Sequence, residues 1–180
     1  MRIKLFVLPV VLLLASAWGQ NNNAVPAQAE ARIQKEVRHE LLMLPYLNVF
    51  DNLSYKVEGY KVTLMGQVTN PTLKSDAGNV VKRIEGVEQV DNQIEVLPVS
   101  PMDDQLRRKL YVAIYGYPGL QKYDMPVIKP IRIIVKNGHV DLQGVVDSEA
   151  DKNMAVIRAK SVPGTFSVDD HLQVESNAVK

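Results

Sequence analysis

Hydrophobic positions along this chain follow two periods, and the periods alternate in an order that occurs twice. Ile33, Val37 and Leu41 recur every four residues, as do Leu106, Leu110 and Ile114. That spacing lines one face of an α-helix. Downstream, Val62 and Leu64, then Val140 and Leu142, alternate with polar residues beyond glycine-containing turns, the period of a half-buried hairpin strand. A second helical pattern follows, Leu73, Ala77, Val80, Val81 and Ile84 in the first case, opened by Asn70-Pro71; Ser148 with Asp151 opens its counterpart. Strands over Val90–Val96 and Val168–Val174 close the two series.

Sliding the sequence on itself by 78 positions superposes the segment 57–68 on 135–146 without a gap, and carries Ala77 onto Ala155, Gly86 onto Gly164 and Val90-Asp91 onto Val168-Asp169. The expected class is α+β: two tandem αββαβ units, each a three-stranded mixed sheet with two helices on one face. The final strand lies parallel to a neighbour because a helix crosses over to it. The units span residues 30–97 and 103–175, joined by a Pro-rich hinge at 98–102 and followed by a tail at 176–180. The leading helices align at an offset of 73, so the second unit carries about five extra residues in the region of Gly119 to Pro130. Four glycines have structural roles in this reading. Gly86 and Gly164 stop helices, whereas Gly66 and Gly144 lie inside strands, where a bulge or close backbone approach is expected.

The hairpin run Val62, Leu64, Gly66, Val68, the glycine-to-strand run from Gly86 to Val96, and their partners in the second unit resemble the BON domain, named for bacterial osmotically inducible and nodulation proteins. The tandem form is similar to the exported osmotic-stress members. The second unit departs from the pattern at Thr165 and at Asp170, which stands where the first has Asn92. The resemblance implies a non-enzymatic module that contacts phospholipid and helps maintain the cell envelope.

Met1-Arg2-Ile3-Lys4, the apolar run Leu5 to Leu14 and the small residues Ala15 to Gly19 have the layout of a secretory signal peptide, too short and too interrupted by Pro9 to span a bilayer. Residues 20–29 form a polar lead. Export to a bacterial periplasm is expected. The chain has no cysteine, which removes disulfides, thiolate chemistry and a lipidated cysteine, so no lipid anchor is expected.

With 21 cations and 20 acids the formal charge is +1, which speaks against nucleic-acid binding. Three histidines, none in a catalytic motif, argue against an enzyme, and no cofactor or metal site is expected. The balance is uneven, however. Between Arg107 and Lys136 seven cations face the single acid Asp124, a local charge of +6, and four of the seven tyrosines fall there. Arg107, Arg108, Tyr111, Tyr115, Tyr117, Lys122 and Tyr123 are the expected binding residues, since tyrosines flanked by cations suit an anionic membrane interface. Two further possibilities stand beside that one: a solvated face with tyrosines capping a core, and an adaptor for an envelope protein that extends an exposed sheet edge.

Overall fold

A computed structural model describes residues 27–175. The signal peptide, most of the lead and the tail at 176–180 lie outside the described residues. Helix α1 (Ala27–Leu42) starts three residues before the expected boundary. It is followed by β1 (Asn52–Glu58), β2 (Lys61–Val68), α2 (Pro71–Lys82), β3 (Gln89–Asn92) and β4 (Glu95–Val96). The second unit repeats the order with α3 (Pro101–Tyr115), a 3-10 turn (Pro118–Tyr123), β5 (Ile131–Lys136), β6 (His139–Val146), α4 (Glu149–Lys160) and β7 (Ser167–Val174).

In each sheet the hairpin is antiparallel and the last strand is parallel to the hairpin's second strand, so β2 and β6 are central. The helical stripes meet the alternating strand positions in two separate cores. Ile33, Val37, Leu64 and Leu73 belong to one; Leu110, Ile114, Ile133 and Leu142 to the other.

The hinge is shorter than expected. Ser100 caps α3 by accepting from the Asp103 N–H at 3.2 Å, and Pro101 takes the first helical position, where a missing N–H costs nothing. Leu97 is buried and its N–H donates to Val68 O at 2.8 Å.

Both strand glycines solve the same problem. A Cβ on Gly66 would stand 2.1 Å from Asn52 O, and one on Gly144 would stand 1.9 Å from Pro130 O, at φ values of 112° and 122°. Only a residue without a side chain lets the hairpin close there.

The first unit's last strand is broken where the expected strand ran through. The Asn92 side chain turns back, accepting from the Ile94 N–H at 3.3 Å and donating to Lys74 O at 2.7 Å. Asp170 stands at this position in the second unit and accepts from the Leu172 N–H at 3.0 Å, but a carboxylate cannot donate. Lys152, the counterpart of Lys74, supplies an ammonium 3.6 Å away instead. The substitution that departs from the repeat is thus matched by a local change of partner.

The units also touch outside the hinge. The Ile133 N–H, on the edge strand β5, donates to Val49 O at 2.9 Å, and Val49 is buried in the second unit's core although it belongs to the first. Arg132 donates to Asn48 O at 2.8 Å, and Lys136 pairs with Glu95 at 2.6 Å.

Candidate functional site

The basic, tyrosine-rich segment divides once folded. Leu106, Leu110 and Ile114 face the core as expected, but the adjoining stripe does not reach the surface throughout: Arg107 and Tyr115 are buried, 4% and 3% exposed. Arg107 reaches across to Val135 O at 2.6 Å while its other arm meets Asp104 at 2.5 Å. The Tyr115 hydroxyl donates to Ile131 O, and burial pushes its pKa well above the ordinary phenol value. Both side chains satisfy edge carbonyls of β5, so a face 100° from the core stripe becomes part of the seam between α3 and the sheet.

Tyr123 is buried as well. Its hydroxyl donates to Asp151 at 2.8 Å and accepts from the Asp147 N–H at 2.7 Å, fixing the extra residues of this unit to the start of α4. Lys122 stays exposed but bridges Asp147 and Asp151 at 2.6 and 2.9 Å, and these carboxylates hold its ammonium pKa above the usual lysine value. Tyr111 is half-buried and donates to Asp124 at 2.6 Å; Lys129 pairs with the same carboxylate at 3.0 Å. Tyr117 lies under the Arg158 guanidinium, 5.4 Å from the ring centroid. Most of the local +6 is therefore tied to internal partners, acids or carbonyls, that the sequence count leaves out.

What remains is a groove between α3 and α4 of about 550 Å³, lined by Arg108, Lys109, Val112, Ala113, Arg158 and the turn after α4. Arg108 and Lys109 are exposed and have no hydrogen-bond or ion-pair partner among the described residues. Val112 is 68% exposed, and Ile157, one turn before Ser161 of the groove, is 58% exposed. Val112 also borders Met125 of the inserted loop, itself 86% exposed.

The first unit has a matching groove between α1 and α2, of about 590 Å³, and the two linings correspond under the two offsets except at Arg32, whose counterpart Gln105 does not line the second. In the first, Lys35, Glu36, His39, Glu40 and Glu85 mix both signs of charge; in the second the counterparts are Arg108, Lys109, Val112, Ala113 and Pro163. Each acid of the first groove has been replaced by a lysine or an apolar residue. This contrast is legible in the sequence only once the helices are aligned at an offset different from that of the strands.

Of the three histidines, His39 lines the first unit's groove and the other two stand apart from both grooves. His139 shares a hydrogen bond of 2.8 Å with Ser167, and His171 pairs with Asp141 at 2.7 Å, both on the sheet of the second unit. No helix among the described residues is long and apolar enough to cross a membrane.

The family model of the BON domain matches residues 29–98 and 103–176, one match for each αββαβ unit. The chain belongs to the BON-domain family. Among curated proteins, osmotically-inducible protein Y of Escherichia coli strain K12 is 27% identical over 135 residues, covering 69% of this chain and 62% of that protein. The chain thus spans less than two thirds of that relative's length. Among solved structures, the C-terminal domain of CdsD, a structural protein of the type III secretion system of Chlamydia trachomatis, matches at 12% identity, over 78% of this chain and 96% of that one, with a TM-score of 0.27. A second CdsD structure gives 11% identity and a TM-score of 0.28, covering 81% and 94%.

Proposed function

We propose that this BON-domain protein is an exported, non-enzymatic module of the cell envelope, active in osmotic-stress tolerance, whose second unit rests on anionic phospholipid through the α3–α4 groove. The relationship to osmotically-inducible protein Y supports the setting. The contrast between the two grooves carries the ligand: one duplicated surface keeps mixed charge, and the other presents Arg108, Lys109 and Arg158 around exposed Val112 with no acid in its lining. Cations near an anionic bilayer contribute about 1 kcal/mol each, so this surface gives weak, reversible attachment, with Val112, Ile157 and Met125 entering the headgroup region.

Flotation of the mature chain with phosphatidylglycerol vesicles tests this reading. Binding should exceed that to phosphatidylcholine, fall with added salt, and be lost in R108E/K109E. Equal binding to both vesicle types, or full binding by that variant, would refute it. Lys122→Glu belongs in the same assay as a contrast, because its partners are internal and its loss should lower stability rather than attachment.

A further inference from the structure

The two units share an edge that one fills and the other leaves open. In the second unit, β5 is the sheet's edge strand, and the segment Asn48–Phe50 lies against it: Val49 O accepts from the Ile133 N–H, and the Val49 side chain enters the core beneath. In the first unit the corresponding edge strand is β1. Tyr55 stands where Ile133 does, with the same register, Tyr55 opposite Leu64 and Ile133 opposite Leu142. Its N–H therefore points away from the sheet, as that of Ile133 does.

Beside this open edge runs a groove of about 380 Å³ lined by Leu41, Leu42, Leu47, Leu53 and Tyr55, together with Arg38 and Arg132 of the second unit. The leucines other than Leu41 are only partly buried. No acid lines the groove. Arg38 is exposed and without an ion-pair partner among the described residues. Arg132 is half-buried, meets only a carbonyl, and burial holds its pKa below the usual guanidinium value.

We propose that the β1 edge binds an extended peptide segment of a partner protein, which adds a strand beside Tyr55, places apolar side chains among Leu42, Leu47 and Leu53, and meets Arg38 and Arg132 with a carboxylate. The chain already makes one backbone contact of this kind, Ile133 N–H to Val49 O, so an outward N–H at this edge can take a carbonyl from a neighbouring segment. Backbone pairing supplies affinity, alternate side-chain pockets supply selectivity, and two cations without an acid select an anionic end. The site lies on the first unit except for Arg132, which the second unit contributes, and shares no lining residue with the α3–α4 groove.

The test uses the mature chain and a labelled hexapeptide alternating valine and threonine, with a free C-terminal carboxylate. Fluorescence anisotropy should show saturable binding, roughly tenfold weaker for the amidated peptide. Backbone amide shifts in NMR should move at Leu47, Leu53 and Tyr55. Tyr55→Pro removes the outward N–H and should abolish binding; R38E, an exposed change that leaves the core intact, should weaken it if the proline variant fails to fold. Binding that survives R38E, equal affinity for the amidated peptide, or shifts confined to α3 and α4 would overturn the proposal. So would loss of peptide binding in R108E/K109E, because it would transfer the ligand to the lipid-facing groove.

Discussion

Asp51, fully buried, accepts both the backbone N–H and the hydroxyl of Thr69, at 2.7 and 2.8 Å. A third bond comes from the Asn48 N–H at 3.0 Å, so one carboxylate holds the loop before β1 against the start of α2. The second unit performs this task with the Tyr123 hydroxyl on the Asp147 N–H. Asp51→Ala strands these donors in the interior and should cost roughly 2–4 kcal/mol, since each unsatisfied buried group costs about 1–3 kcal/mol. Asp51→Asn keeps one acceptor oxygen and should fall between. Urea unfolding gives the order, and equal midpoints for all three proteins would contradict it.

The paired glycines make a sharper demand. Gly66→Ala or Gly144→Ala places a methyl group within 2.1 or 1.9 Å of a backbone carbonyl in a left-handed conformation. A loss of roughly 2 kcal/mol or more is expected for either, from strain and local loss of the ladder. Thermal unfolding compared with an exposed control such as Ser54→Ala measures it.

Val49 belongs to the first unit by sequence and to the second by packing. Val49→Ser should therefore destabilise residues 103–175 more than residues 30–97, and hydrogen exchange at the Ile133 amide should accelerate because its acceptor sits on the displaced segment. Faster exchange only in β1 and β2 would speak against this arrangement.

His171 titrates above its ordinary value of 6.5 because the Asp141 carboxylate bonds its ring, with Asp169 and Asp170 adding charge nearby. A raised folded pKa means that this pair stabilises the fold fully below the unfolded value and ceases to do so as pH rises through the folded one. Following the imidazole by NMR should show the elevation, and Asp141→Asn should lower it. An unchanged midpoint in that variant would show that the pair has no effect in solution.

Much of the architecture was written in the repeat. Helical stripes, hairpins and both strand glycines follow from period and offset, since each depends on near neighbours in sequence, and the parallel last strand follows from the crossover through a helix. The site was less legible. Arg107 and Tyr115 sit at the border of the core stripe, and whether such a side chain turns outward depends on β5 carbonyls about 28 and 16 residues away. Lys122 counts as free charge in the sequence, but the turn into α4 brings Asp147 and Asp151 to it. Asp51 and Asp103 gave no hydrophobic signal, yet both are buried; Asp103 accepts the Asn137 and Gly138 amides at 2.8 and 2.9 Å and so fastens the hairpin turn to α3.

The bond between Val49 and Ile133 makes the duplication lopsided. Cut at the hinge, the first half keeps every member of its own core, while the second half is left with a bare Ile133 N–H on its edge strand and a vacant socket where Val49 had been. Expressed alone, that half should self-associate through β5, and adding the first half back should disperse it. The amino-terminal copy thus covers part of its sibling's edge from within the same chain.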